Sequence, residues 1–257
     1  SVCHWRQKLV AAAYATRPDW QERMPVGNWV SVLRPARKIP LTFWSADAPL
    51  TFRPRWQTLS ALLVGLWLFG TGEAMFIAAG LGVSPWTVLA QGVSVQTGWT
   101  VGFSTFAVSV AVLLLWIPLK EIPGFGTLSN VVLIAISIDV MTPLLMGPES
   151  NMIRCLQMIA GVALVGAGSG LYLTANLGPG PRDGLMTGVQ RLTGWSIGAV
   201  RAGLELTVLC AGWMLGGTVG LGTVIFAVGV GYAVAVSLSV VRLFSPDLQN
   251  QNTLDSN

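Results

Sequence analysis

The sequence predicts an all-α membrane protein with six transmembrane helices, arranged as a 3+3 inverted repeat in which the two copies face opposite ways. Two observations lead to this fold class. The 257 residues are 53% hydrophobic and only 10% charged, with a mean hydropathy of +0.64, whereas a soluble domain carries roughly 25% charged residues. The chain also contains an internal duplication, which in an apolar protein is typical of membrane transporter folds.

The duplication aligns residues 65–140 with residues 161–236 at a constant offset of 96 positions and without a gap. The shared residues are mostly glycine, proline and tryptophan at positions typical of turns. Leu-Gly at 81–82 recurs at 177–178, Thr-Gly-Trp at 97–99 recurs at 193–195, and Gly-x-Gly-Thr at 124–127 recurs at 220–223. These matches predict that both copies fold in the same way.

Six apolar segments have about the length that a helix needs to cross a bilayer. The hydrocarbon core is about 30 Å thick, which corresponds to roughly 20 helical residues. The predicted spans are 57–79, 100–119, 127–146, 152–175, 196–215 and 222–244.

Each copy also contains a shorter helical segment, at 85–97 and at 181–193. At 1.5 Å per residue such a helix reaches only about 20 Å, which is too short to cross. Each segment begins with proline, which is favoured at the first helical position, and is followed by Gly98 or Gly194, the residue type favoured just past a helix end. We predict two short amphipathic helices that are either re-entrant or surface-lying, and the sequence leaves both open.

The positions of Lys and Arg indicate that the copies are inverted. Three crossings per copy is an odd number, so the second copy starts on the opposite side from the first. With the basic N-terminal tail inside, the predicted outer segments 81–99, 147–151 and 216–221 contain no Lys or Arg. The predicted inner segments contain Lys120, Arg182, Arg191 and Arg242. This distribution agrees with the positive-inside rule and predicts cytoplasmic N- and C-termini.

The chain divides into a basic tail, two membrane repeats and a short C-terminal tail. Residues 1–55 carry nine Lys or Arg against three Asp or Glu, whereas the rest carries six against eight. We expect this segment to be a poorly ordered cytoplasmic tail or an over-extended gene start; alternatively, its Trp and basic residues rest on anionic headgroups. Repeat 1 is predicted at 56–146, repeat 2 at 151–244, and the C-terminal cytoplasmic tail at 245–257.

Ionisable residues at membrane depth are costly, so the few in this chain are the first candidates for a functional role. Glu73 lies deep in the first span and is either a water-accessible carboxyl near its outer end or a proton or cation site. Arg201 and Glu205 lie four residues apart on one helical face, either as a structural ion pair or as gating groups. Asp139 lies within the third span, and the sequence does not establish whether it pairs with Arg154.

The N-termini of the short helices form a second group of candidates, because unpaired backbone N–H groups there favour anions. The two copies differ at these positions: Ser84, Trp86 and Thr87 correspond to Gly180, Arg182 and Asp183. Re-entrant helices would bring both N-termini towards the midplane, as in inverted-repeat transporters. Surface-lying helices would leave Arg182 and Asp183 as an exposed pair.

The supply of reactive residues argues against catalytic, metal and cofactor sites. The single histidine, His4, lies in the tail, and the three cysteines Cys3, Cys155 and Cys210 lack metal-ligand spacing. We therefore expect no enzyme activity, no cofactor and no metal, and no nucleic-acid partner because the basic balance belongs to the tail.

Pairs of small residues indicate where helices could pack closely. The pairs are Gly166-x-x-x-Gly170 and Gly184-x-x-x-Gly188. Since such pairs let helix backbones approach one another, they suggest a homodimer formed through small-residue helix faces.

Several runs resemble the YczE/YyaS/YitT type of bacterial integral membrane protein. They are Leu-Gly-Pro-Gly-Pro-Arg-Asp-Gly-Leu-Met-Thr-Gly from Leu177 to Gly188, the Thr-Gly-Trp-Ser-Ile-Gly run that follows, and the Gly-Gly-Thr-Val-Gly-x-Gly-Thr turn. The resemblance covers roughly residues 53–244. In the first copy that family usually has Pro-Trp-Asp and His-Gln-Gly runs, where this chain has Thr87 and Ala90. The resemblance implies a multi-pass protein of the bacterial plasma membrane, and it implies no defined activity.

From this architecture we predict a small-solute transporter or exporter, with anionic or amphiphilic low-molecular-weight solutes as the options. Glu73 and the Arg201–Glu205 pair would be the coupling or gating groups, and the N-termini of the short helices would border the substrate. The alternative is a non-transporting membrane accessory protein that binds a partner or supports a biosynthetic complex. In either case the lipid bilayer is the first partner.

Overall fold

The computed structural model describes residues 40–51, 53–145 and 147–242, and over these ranges it is all-helical, with eight helices and no strand. Most of the predicted N-terminal tail, residues 1–39, and the predicted C-terminal tail at 245–257 lie outside the described residues. The helices are α1 (Trp56–Ala79), α2 (Pro85–Thr97), α3 (Val101–Leu119), α4 (Phe125–Met141), α5 (Asn151–Thr174), α6 (Pro181–Thr193), α7 (Ile197–Met214) and α8 (Leu221–Arg242).

Five of these helices, α1, α3, α5, α7 and α8, are long and apolar enough to cross a membrane. They contain between 18 and 24 residues, with mean hydropathies between 1.3 and 2.3. The sixth apolar helix, α4, is shorter, with 17 residues. It ends at Met141 rather than at the predicted 146, because Pro143 has no backbone N–H to continue the helical hydrogen bonds, and only turns follow. The membrane protein class is confirmed, and the six crossings stay a prediction.

Both short helices are formed with the predicted bounds, as α2 and α6. Each is ended by a glycine in the left-handed region, with φ of 74° at Gly98 and 70° at Gly194. Glycine adopts this conformation without a steric penalty, which explains why both helices stop there. The first turn of α2 is buried and that of α6 is buried or half-buried, whereas the last turn of each helix is largely exposed.

Helices α1 and α5 pack side by side and run antiparallel. Gly65 of α1 faces Gly168 of α5, and Gly72 faces Gly161. Residue numbers thus increase along one helix as they decrease along the other, so the two helices are antiparallel. A Cβ placed at Gly72 would come within 2.7 Å of the Gly161 carbonyl oxygen. Glycine at these four positions therefore allows the two backbones to touch.

The other helices are arranged around this pair. Helix α4 packs against α1, and α8 packs against α5. Helix α3 packs against α4 and against the short helix α6, while α7 packs against the short helix α2. Each short helix therefore lies against a long helix of the other copy.

The two small-residue pairs that suggested a homodimer are used within the chain. Gly166 and Gly170 face Ala233 and Ser237 of α8. Gly184 and Gly188 face Trp116 and Leu119 of α3. Because these faces are already covered, neither pair is available for contact with a second copy.

The loop before each short helix is tied to the opposite copy. The Gly126 N–H donates to the Leu177 carbonyl at 2.7 Å, and the Gly222 N–H donates to the Leu81 carbonyl at 2.9 Å. Both partners of the second bond are related to those of the first by the 96-residue offset. The Leu-Gly and Gly-x-Gly-Thr motifs thus meet across the copies, which explains why they occur together in each.

Residues 40–51 are the described part of the predicted basic tail, and they are held against the end of α5. The Trp44 indole N–H donates to Thr174 Oγ1 at 3.2 Å, and the Ala46 N–H donates to the Ala175 carbonyl at 3.0 Å. The Asn176 side-chain amide donates to the Ala46 carbonyl at 2.9 Å. This segment covers the start of the loop that leads to α6.

Candidate functional site

The N-termini of the two short helices meet at an indole and a guanidinium. Trp86 and Arg182 are equivalent residues of α2 and α6, and the Arg182 Cζ lies 5.3 Å from the Trp86 ring centroid. This distance is within the range of a cation–π interaction. Among the described residues the Arg182 guanidinium has no hydrogen bond and no ion pair. Its five N–H donors are therefore available to a ligand.

Glu73 lies in α1 against the first turn of α2. Its Oε2 atom is 2.9 Å from Ser84 Oγ and 2.7 Å from Thr87 Oγ1. The exposed fraction is 0% for Glu73 and Ser84 and 1% for Thr87. The structure thus brings together three of the predicted site residues, and the hypothesis of a water-accessible carboxyl near the helix end does not match this burial.

Asp183 has a different partner in the second copy. The Tyr172 hydroxyl of α5 donates to Asp183 Oδ2 at 3.1 Å. In the first copy the carboxyl of Glu73 is on the long helix α1, and its hydroxyl partners are at the start of the short helix α2. In the second copy the hydroxyl is on the long helix α5 and the carboxyl is on the short helix α6. The same helix contact therefore carries a carboxyl–hydroxyl pair in both copies.

Arg201 and Glu205 form the ion pair that their spacing predicts. Arg201 Nε donates to Glu205 Oε1 at 2.9 Å. The side chains are 53% and 31% exposed, so the pair borders the outside of the protein rather than its core.

A cavity of about 210 Å³ lies between the two copies. Several residues that line it occupy equivalent positions in the duplication: Pro85 and Pro181, Trp86 and Arg182, Thr105 and Arg201, Ser109 and Glu205. This volume is below the range of about 300–1,000 Å³ for drug-sized ligands. The cavity therefore suits a smaller solute.

The cavity wall carries charges of both signs. Four Arg, Asp or Glu side chains line it, namely Arg182, Asp183, Arg201 and Glu205. Arg182 also interacts electrostatically with Glu73, which lies behind the wall. Since Arg201 is paired with Glu205 and Asp183 accepts from Tyr172, Arg182 is the charge in this group without a direct partner.

Asp139 is placed away from the cavity and has local partners. The Thr100 hydroxyl donates to Asp139 Oδ2 at 2.6 Å, and the Gly102 N–H donates to Oδ1 at 2.8 Å. The carboxylate thus satisfies the Gly102 N–H at the start of α3, which has no helical partner. Arg154 instead donates to the Pro148 carbonyl at 2.6 Å, so the pair considered from the sequence is not formed.

The candidate site residues derived from the sequence do not include three polar groups of the cavity. Tyr172, Thr105 and Ser109 line it, and none of them is ionised or next to a conspicuous motif. A signal was present in the duplication, because Tyr172 replaces Phe76, and Thr105 and Ser109 correspond to Arg201 and Glu205. Positions where the copies differ in polarity therefore point to this region.

Comparison with known proteins gives a family. Residues 56–238 match the model described as "Family of unknown function (DUF6198)". An "Uncharacterized protein" of Haemophilus influenzae is 43% identical over 205 residues, which cover 80% of this chain and 93% of the relative. The "Uncharacterized membrane protein YczE" of Bacillus subtilis is 35% identical over 176 residues, which cover 68% and 82%. No solved structure matches significantly. The resemblance expected from the motifs is confirmed, and the chain belongs to the Family of unknown function (DUF6198), with YczE among its relatives.

Proposed function

We propose that this protein is a small-solute transporter with six membrane crossings in a 3+3 inverted repeat, and that the cavity between the copies is its solute site. The observation that carries the proposal is the lining of this cavity by equivalent residues of both copies, with the unpaired Arg182 among them. In inverted-repeat transporters the substrate lies near the midplane at the interface between the repeats.

The packing of α1 against α5 supports the inversion. The 96-residue offset relates Gly65 to Gly161 and Gly72 to Gly168. The contact between Gly65 and Gly168 is therefore equivalent to the contact between Gly161 and Gly72. A two-fold operation that exchanges two antiparallel helices has its axis perpendicular to both. For helices that cross a membrane such an axis lies in the membrane plane, as an inverted repeat requires.

The length of α4 is compatible with a sixth crossing. Its 17 residues are at the lower end of the roughly 17–25 residues of spanning helices. Its equivalent, α8, has 22 residues and packs against α5 as α4 packs against α1. Six crossings are an even number, so both termini of the chain lie on one side, which we assign to the cytoplasm of the bacterial plasma membrane.

The short helices are best interpreted as re-entrant. Their first turns are buried in α2 and buried or half-buried in α6, and they meet at Trp86 and Arg182, whereas their last turns are largely exposed. Helix N-termini directed into a membrane cavity favour negatively charged groups of a solute. Arg182 adds a full positive charge at this point, so a solute with an anionic group fits the site best.

The Arg201–Glu205 pair has the position expected of a gate. It lines the cavity from α7 and is partly exposed, so opening the pair would give access without disturbing the core. We assign solute binding to Arg182 and gating to this pair.

Flux measurements in proteoliposomes test the proposal. Purified protein is reconstituted, and the release of a panel of small carboxylates, phosphates and zwitterions is compared with that from protein-free vesicles. We expect flux of at least one solute, and a decrease of about tenfold or more in Arg182→Gln, because a charged hydrogen bond contributes about 1.5–3 kcal/mol. Arg201→Gln should change the rate as well.

Arg154→Gln is the matched control, since this guanidinium binds the Pro148 carbonyl and does not line the cavity. It should leave flux unchanged. Flux equal to that of empty vesicles for every solute would reject the transporter and favour the accessory protein that assists a partner.

A further inference from the structure

We infer that Glu73, Ser84 and Thr87 form a proton-binding site, in which a proton on the Glu73 carboxyl completes a closed ring of three hydrogen bonds. The role of this proton in coupled transport depends on the proposed function. Proton binding itself does not, since it is measurable in purified protein without any solute.

The three side-chain oxygens form a triangle. The edges are 2.9 Å between Glu73 Oε2 and Ser84 Oγ, 2.7 Å between Glu73 Oε2 and Thr87 Oγ1, and 2.9 Å between Ser84 Oγ and Thr87 Oγ1. All three distances are those of ordinary or short O–H···O hydrogen bonds. Each edge therefore requires one proton.

The two hydroxyls cannot supply all three protons. Each hydroxyl carries a single O–H donor, and an ionised carboxylate is an acceptor only. With Glu73 ionised, one edge of the triangle would bring together two oxygens with no proton between them. A proton on Oε2 removes this deficit: Glu73 donates to Ser84, Ser84 donates to Thr87, and Thr87 donates back to Oε2.

The other carboxyl oxygen supports the same state. Oε1 of Glu73 is buried and has no hydrogen-bond partner among the described residues. In an ionised carboxylate this atom would carry part of the negative charge without a hydrogen-bond donor, which is costly for a buried polar atom. In the protonated acid Oε1 is the oxygen of a neutral carbonyl.

The charged and titratable groups around Glu73 leave Arg182 as its electrostatic partner. Helix α4 contributes Asp139, which binds the start of α3, and α5 contributes Arg154, bound to the Pro148 carbonyl, and Tyr172, bound to Asp183. Cys155 of α5 is the remaining titratable group on these elements. Helix α2 faces Glu73 with Ser84 and Thr87, which are neutral.

The interaction with Arg182 links the proton to the cavity. When the proton leaves, the Glu73 carboxylate attracts the guanidinium and competes with an anionic solute for it. When the proton is bound, this competition ends and Arg182 is available to the solute. By reciprocity, an anion on Arg182 favours the proton on Glu73, so proton and anionic group bind together. The site thus suits symport of a small organic anion with a proton.

Infrared spectroscopy of the purified wild-type protein tests the site directly. A protonated carboxyl has a C=O stretching band that a carboxylate lacks and that shifts when the solvent is exchanged for D₂O. We expect such a band near neutral pH, its absence in Glu73→Gln, and an altered frequency in Ser84→Ala and Thr87→Val, because each hydroxyl contributes one bond of the ring. Asp139→Asn should leave the band unchanged.

A wild-type protein without this band at neutral pH would overturn the inference, as would a band that persists in Glu73→Gln. The hydroxyl variants keep the carboxyl, so they report on the ring even if Glu73→Gln fails to fold. A band of the expected behaviour combined with no solute flux would retain the proton site and reject the transporter. Solute flux without the band would retain the transporter and reject the proton site.

Discussion

Trp86 and Arg182 occupy the same position in the two copies, and the guanidinium of one lies 5.3 Å from the ring of the other. The duplicated backbone thus brings equivalent residues into contact, and the two copies have diverged where they meet. A symmetric pair of arginines here would place two like charges in contact, whereas an indole provides an uncharged face that stabilises one arginine. The difference between the copies is therefore what allows a single unpaired cation at the centre.

The contact between these two side chains should be measurable as a coupling energy. We predict that a double-mutant cycle with Trp86→Leu and Arg182→Gln gives a coupling of about 0.5–2 kcal/mol in the free energy of unfolding. Trp86→Phe retains an aromatic face, so a cycle built on it should give a smaller value. The measurement is denaturant titration in detergent. A coupling of zero in the Leu cycle would show that the stack does not stabilise the fold.

The contact between α1 and α5 should tolerate no side chain at its glycines. We predict that Gly72→Ala lowers the free energy of unfolding by about 1–3 kcal/mol, because its Cβ would lie 2.7 Å from the Gly161 carbonyl oxygen. Gly203→Ala in α7 is the matched control, since no atom lies within 4 Å of its Cβ position. Thermal unfolding of both variants in detergent compares them, and equal stabilities would contradict the close helix contact.

Asp139 should matter for stability rather than for the cavity. Removing its charge in Asp139→Asn weakens two hydrogen bonds at the start of α3, to the Thr100 hydroxyl and the Gly102 N–H. We predict a loss of about 1–2 kcal/mol in the free energy of unfolding. Solute flux per folded molecule should be unchanged. A variant with normal stability and abolished flux would show that Asp139 takes part in transport rather than in stability.

The elements that could be predicted from the sequence are those set by local chemistry. Proline at the start and glycine at the end of each short helix fixed its bounds, since these residues act through backbone conformation alone. The Arg201–Glu205 pair was predictable because four residues span one helical turn. The bound at 146 was wrong because the apolar run continues past Pro143, whose missing N–H ends the helical hydrogen bonds.

The contacts that make up the site were not predictable in the same way. Glu73 meets Thr87 because α2 folds back against α1, and Arg182 meets Trp86 because the two copies pack together. Such contacts depend on tertiary packing and leave no local pattern. The Glu73 carboxyl gave no indication of its two hydroxyl partners, and Tyr172 could only have been found as a replacement of Phe76 in the duplication.

The inverted arrangement makes a prediction about which side of the membrane the ends of the short helices face. Val95 lies near the end of α2 and is 63% exposed, and Gln190 lies in the equivalent part of α6. We predict that a cysteine at position 95 is labelled by an impermeant thiol reagent from outside, and one at position 190 from the cytoplasmic side only. The native Cys3, Cys155 and Cys210 are first replaced by serine or alanine. An unmodified cysteine-free protein gives the background, and each labelled site is checked again after permeabilisation. If both positions reacted from the same side, the copies would share one orientation, and the midplane cavity between inverted repeats would have to be abandoned.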